Sequence, residues 1–212
     1  MTTQAWIFLG LTTALSGIGW LASWRRWRSL VVAARPGAML SLAAVALWLL
    51  DVERGPQALM VAALFMSALG DLLLAVPRHY FATGSAFFLG ARVLYGASFV
   101  VSGFDSGAAA LVLVVTGFTQ LTVGRILLGQ IRRLRPGLVA GTGAYMLVSG
   151  SVVALGVATG NPTAGLGVVT LALADVLLGW NRFVRALAGG HGSIHVVAHA
   201  GQAVLVLSLL SA

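Results

Sequence analysis

The chain has 212 residues, of which 59% are hydrophobic and only 8% charged, whereas a soluble domain carries about 25% charged residues. No soluble fold of this size hides so much apolar surface, so the composition specifies an integral membrane protein. The net charge of +8 comes from arginine without a single lysine, and cysteine is absent, which excludes disulfides, thiolate nucleophiles and cysteine-ligated metals.

Taken in chain order, Met1-Thr-Thr-Gln has no basic segment ahead of the first apolar stretch, so that stretch is expected to stay in the membrane. A bilayer core needs about 20 apolar residues per helix. Eight spans are predicted: Ala5–Ser23, Pro36–Asp51, Gln57–Val76, Ala82–Gly103, Gly107–Leu127, Pro136–Ala158, Thr163–Trp180 and Ile194–Leu210. Pro36, Pro56, Pro136 and Pro162 stand near span starts, where a missing N–H costs nothing. The second span is the shortest. Its alternative start is near Ser29, with Arg35 reaching out to the interface.

The arginines set the topology. Arg25, Arg26, Arg28 and Arg35 fall between spans one and two, and Arg78 between three and four. Arg125, Arg132, Arg133 and Arg135 fall around the end of five, and Arg182 and Arg185 between seven and eight. Only Arg54 is in an opposite loop, and Arg92 is inside a span. Positive loops stay in the cytoplasm, so both termini are expected outside, in a bacterial inner membrane. Arginines spread between spans are a topology signal, and no basic patch is interleaved with exposed aromatics, so no nucleic acid is expected as a partner. The expected partners are membrane lipids.

Two aspartates stand inside apolar sequence, 104 residues apart, in Ser67-Ala-Leu-Gly-Asp71-Leu-Leu-Leu and Leu171-Ala-Leu-Ala-Asp175-Val-Leu-Leu. An ionisable side chain in a membrane span is costly and marks a functional site by default. Sliding 64–81 onto 168–185 matches six of eighteen positions, including Asp71 with Asp175 and Arg78 with Arg182. Four spans per half makes the repeat parallel, with both aspartates at similar depth in the cytoplasmic half of spans three and seven. Pro77 and Asn181 fit helix ends there. The expected fold is therefore an all-α, polytopic bundle of eight transmembrane helices. It forms one membrane domain, 1–212, with pseudo-repeats at about 1–104 and 105–212.

Two carboxyls in one apolar site can divide the roles of acid and carboxylate, the two partners that acid–base hydrolysis needs. The plainer alternative is a pair of structural aspartates. Arg92, in Gly90-Ala-Arg92-Val-Leu-Tyr95, needs an anionic partner. A salt bridge to Asp71 is one option; a lid over the acid pair or a clamp on a lipid phosphate is the other. Tyr95 is one turn on. Tyr80, Tyr145 and the tryptophans read as interface-belt residues. His191, His195 and His199 are spaced by four, and with an aspartate they could make a zinc site. The glycines before them suggest instead an interfacial His195 and a core His199, with Gln202 one turn beyond facing the same cavity. Asn181, Arg182 and Arg185 fit either topology or docking of a lipid phosphate.

These residues resemble the YhhN-type lysoplasmalogenases, small eight-span membrane proteins. The likeness is carried by Ser67–Leu74, by Phe88-Leu-Gly-Ala-Arg-Val-Leu-Tyr95 and by Ala174-Asp175-Val-Leu-Leu-Gly-Trp-Asn181-Arg182-Phe183. It implies hydrolysis of the vinyl-ether bond of a lysophospholipid to a fatty aldehyde and a glycerophospho-alcohol. The catalytic pair it implies is Asp71 and Asp175. The substrate-binding candidates are Arg92, Tyr95, Asn181, Arg182, His199 and Gln202, with no cofactor and no metal. The chain departs from the family pattern at Arg92, where a histidine is expected, and near His199, where an aromatic is expected. Two other functions fit the same residues: a lipid carrier or transporter without hydrolysis, and a zinc-dependent intramembrane hydrolase using His195, His199 and an aspartate.

The arginine alternation makes one direct prediction. A phosphatase reporter fused after Ala212 should be active outside the cytoplasm and a fluorescent one dark. A cytoplasmic C-terminus would defeat both the eight-span layout and the parallel repeat.

Overall fold

The computed structural model describes residues 1–76, 80–187 and 189–211. Pro77, Arg78 and His79 lie outside the described residues, and with them the Arg78–Arg182 match and the helix end expected at Pro77. The side chain of His191 lies outside them too.

The described elements are helical: α1 Thr3–Arg25, α2 Arg28–Leu47, α3 Arg54–Ala75, α4 Phe81–Ser102, α5 Ser106–Leu134, α6 Val139–Ala158 after a 3₁₀ turn at Pro136–Leu138, α7 Pro162–Phe183 and α8 Gly190–Ser208. Seven are long and apolar enough to cross a membrane; the apolar stretch of α8, Gly192–Ser208, is shorter. The all-helical, multi-pass architecture expected from composition is borne out. Polar side chains at loop ends start several helices. Asp105 accepts from Ala108 N (2.6 Å), and Asn161 accepts from Thr163 N and Ala164 N (3.0 and 3.2 Å). Pro162 opens α7 at its first turn.

Three boundaries differ from those expected. Helix α2 starts at Arg28, so Pro36 is inside it and not at its start. A proline removes the bond to the carbonyl four residues back, here Val32. Packing against neighbours lets a spanning helix carry that loss. Arg35 consequently does not reach the interface. It is 5% exposed, and its Nη2 donates to Ser23 Oγ of α1 at 2.7 Å. Helix α5 runs to Leu134 and carries Arg125, Arg132 and Arg133 on its last turns. At 1.5 Å per residue it is longer than a bilayer core of about 30 Å. Helix α8 starts at Gly190, four residues earlier than expected.

Helices adjacent in the chain pack together, except that α4 and α5 both lean on α6. Helices α1 and α8 close the bundle. Met39, Leu42, Met60, Leu64, Tyr95 and Leu205 fill the core. Helix α5 is peripheral: Leu111, Val114, Phe118 and Leu121 are 65–71% exposed, a face suited to lipid tails.

Helices α7 and α8 touch through glycine. A methyl built on Gly201 would lie 3.0 Å from Leu171 N and 3.2 Å from Gly167 O, so backbone itself would have to move. Gly201→Ala should cost about 1–3 kcal/mol, read as a lower unfolding temperature in detergent. Gly90→Ala, whose methyl would meet only Met66 Sδ at 3.8 Å, should be neutral. Equal stability of both variants would contradict this packing.

Candidate active site

Asp71 sits on α3, four residues before its end, and is 2% exposed. Asp175 sits on α7, and its side chain is 17% exposed, toward the interior cavity. The two carboxyls have different company. Asp175 is clamped. Arg92 of α4 donates through Nε to Oδ2 (3.1 Å) and through Nη2 to Oδ1 and Oδ2 (2.9 Å each). Tyr145 Oη donates to Oδ1 at 2.9 Å, and Ser149 Oγ donates to Oδ2 at 3.2 Å, both from α6. Two-point guanidinium–carboxylate contact is the strong form of this interaction. Arg92 itself is 3% exposed, so the pair lies inside the bundle.

Asp71 is held more loosely. His195 Nδ1 lies 3.9 Å from Oδ1 and His199 Nε2 lies 3.6 Å from Oδ2, both from α8. Both separations exceed the usual hydrogen-bond range of about 2.7–3.2 Å. Arg35, on α2, acts on Asp71 electrostatically. His199 is 4% exposed, packs beside Trp20 with ring centroids 6.3 Å apart, and has no hydrogen-bond partner on either ring nitrogen among the described residues.

The pairing is crossed. The aspartate of α3 is met by α8, and the aspartate of α7 by α4. Both line one cavity of about 670 Å³, within the range of about 300–1,000 Å³ typical of ligand sites. The cavity follows the inner side of α5 from Val112 to Ile131. Arg92, His195 and Gln202 line it; Tyr95 and His199 are buried behind it. Its walls are otherwise mostly apolar.

The remaining candidates are distributed as follows. Tyr95 Oη donates to Gln202 Oε1 at 3.5 Å. Asn181 does not line the cavity; its Oδ1 accepts from Leu187 N at 2.8 Å and secures the turn after α7. Arg182 lies over the Phe81 ring, 3.9 Å from its centroid, and Phe81 and Phe183 are wall residues at that end. Arg92 pairs with Asp175, not with Asp71, the partner that sequence proximity offers. Tyr145, read as an interface residue, is bonded to Asp175 instead. Ser149 was not foreseen, and its only signal was a position one turn from Tyr145.

Fold and site together define a multi-pass integral membrane protein with a charged centre inside an apolar, lipid-sized cavity. The chain belongs to the YhhN family, whose model matches residues 30–209, as the motifs suggested. It is 31% identical to the human protein named lysoplasmalogenase TMEM86B over 164 residues, 77% of this chain and 69% of that protein. The proteins of the same name from Sus scrofa and Rattus norvegicus are each 31% identical, covering 75% and 87% of this chain and 66% and 74% of their own lengths. The chain thus spans about two thirds to three quarters of these curated relatives. No solved structure matches it.

Removing one partner of a buried ion pair leaves an uncompensated charge, at about 3–5 kcal/mol. Arg92→Leu should therefore be strongly destabilising, and Arg92→Leu with Asp175→Leu should be less so than the sum of the singles. Additive losses in a double-mutant cycle would show that the two residues are not coupled.

Proposed function

We propose that this protein is an intramembrane hydrolase that cleaves the vinyl-ether bond of lysoplasmalogen-like lysophospholipids, giving a fatty aldehyde and a glycerophospho-alcohol. The observation that carries the reading is the shared cavity, with one carboxylate clamped and the other not. The names of the three relatives support the bond type.

The contacts suggest a division of labour. Asp175, fixed by Arg92, Tyr145 and Ser149, is the permanent anion. Asp71, held by no hydrogen bond among the described residues, is the proton carrier. In this reading Asp71 gives its proton to the vinyl carbon one removed from the ether oxygen. The double bond's electrons form the new C–H bond, and the oxygen-bearing carbon becomes an oxocarbenium ion. The fixed charge of Asp175 stabilises that cation as it develops, without reorganisation. Water adds to the cationic carbon and yields its proton to Asp71, which is thereby reset. The hemiacetal then collapses: its hydroxyl gives up its proton to form the aldehyde carbonyl as the bond to the glyceryl oxygen breaks, and that oxygen takes a proton to leave as the alcohol.

The lipid is taken to enter sideways between α4 and α5, which lean on α6 rather than on each other. Its tail lies along α5. Its headgroup stays at the arginine-rich end, near Arg182 and Phe81. Arg92 is occupied with Asp175, so it serves by orienting that carboxylate; Tyr95, His199 and Gln202 support the wall behind it. The two halves are read as a parallel repeat. Each half supplies an aspartate from its third helix, met by the fourth helix of the other half. The termini lie outside the cytoplasm.

If this is right, Asp71→Asn should lower aldehyde release by at least about 10²-fold with helix content and unfolding temperature unchanged. Asp175→Asn should do the same in the fraction that folds, and the double variant should be no worse than the worse single, because the pair acts as one unit. Turnover should persist in strong chelator. Substantial activity in Asp71→Asn would sink the assignment. A wild-type protein that binds lysoplasmalogen but releases no aldehyde would indicate a carrier.

A further inference from the structure

Asp71, His195 and His199 form a cluster whose spacing a proton-relay role does not explain. One ligand atom from each lies within 4.8 Å of the others, and all three residues are buried. The Asp71–His separations of 3.6 and 3.9 Å are too long for hydrogen bonds. They are close to the separation of two atoms bound to one tetrahedral ion. With ligand bonds of 2.0–2.1 Å, that edge is about 3.4 Å. The whole set lies within 4.8 Å, so its atoms need to draw together by at most about 1.4 Å to reach that edge.

Two further observations point the same way. Both nitrogens of buried His199 lack partners among the described residues, although buried polar atoms are normally bonded. His195 and His199 are also one turn apart on α8, the i, i+4 arrangement by which a helix presents two imidazoles to one ion, with the carboxylate of α3 opposite. Asp71 and His195 open on the cavity, so a fourth position is available to water or a lipid oxygen.

We propose that Asp71, His195 and His199 form an exchangeable divalent-metal site, of zinc-like chemistry, whose occupancy shuts the hydrolase. Two imidazoles and one carboxylate are ligands of borderline softness, which suit zinc and not calcium or magnesium. Arg35 explains why the ion exchanges. Its guanidinium is buried in the same interior, held by Ser23, and acts on the same carboxylate, so ion plus arginine gives a net positive charge there, which weakens affinity. The shut-off rests on the hydrolase reading above: an ion on Asp71 occupies the oxygen that would carry the proton. The binding itself does not depend on that reading.

The test uses the full-length chain in detergent, stripped of metal and titrated with cobalt(II), then zinc. One cobalt per chain is expected, with the intense visible band of a tetrahedral ion, bleached on adding zinc. His199→Gln and His195→Asn should each weaken binding by more than about tenfold, with folding checked by unfolding temperature. No stoichiometric binding by wild type, or unchanged binding in both variants, overturns the site. In the activity arm, zinc should stop aldehyde release and chelator should restore it. Zinc bound without effect on the rate overturns the shut-off. Hydrolysis that requires zinc keeps the site and overturns the metal-free chemistry. One zinc bound by a protein that never releases aldehyde keeps the site and overturns the hydrolase reading.

Discussion

An arginine and an aspartate are bound to each other inside an apolar bundle, and most of the interior follows from that. Neither charge is tolerable there alone. Together, with Tyr145 and Ser149 completing the carboxylate's bonds, they form a satisfied polar island. The island draws on α4, α6 and α7, so it exists only when helices from both halves of the chain are assembled in register. It also fixes an anion at the wall of a cavity that would otherwise be apolar. In a low dielectric, a fixed anion is the feature most able to stabilise a cation formed from a neutral lipid tail.

The second aspartate gains its meaning by contrast. Asp71 has the same local sequence pattern as Asp175 but a different partner chemistry, because α8 offers histidines where α4 offers an arginine. Imidazoles at 3.6–3.9 Å neither clamp the carboxylate nor leave it isolated. Identical residues in like sequence settings thus have unequal surroundings. The proposed division of labour follows from that contrast: a clamped carboxylate suits a fixed anion, and an unclamped one suits a proton carrier or a metal ligand.

Much of this was legible in the sequence. An aspartate within an apolar run is rare enough to be read as a site, and the hydropathy of each stretch located the helices. Partner choice was not legible. Arg92 and Asp71 both invited pairing, and which aspartate lies beside Arg92 depends on how α4 meets α7. Tyr145 looked like a belt residue because nothing local to it reveals a carboxylate 30 positions away. Arg35 looked interfacial because Pro36 suggested a helix start. The helix runs through that proline, and α1 supplies Ser23 as a partly buried acceptor. Helix α5 outran its apolar segment because the helix continues unbroken through the arginine-rich stretch to Leu134.

In the proposed hydrolysis a carboxyl protonates the vinyl carbon and water attacks the carbon it activates. This chemistry is tested most directly by hydrolysing a lysoplasmalogen in deuterated, ¹⁸O-enriched water and weighing both products after immediate reduction of the aldehyde. The mechanism predicts one deuterium on the carbon next to the former carbonyl, and a glycerophospho-alcohol free of ¹⁸O, since its oxygen comes from the ether. An ¹⁸O-labelled alcohol would mean attack on the glyceryl side and would contradict the mechanism, as would an aldehyde-derived product without deuterium.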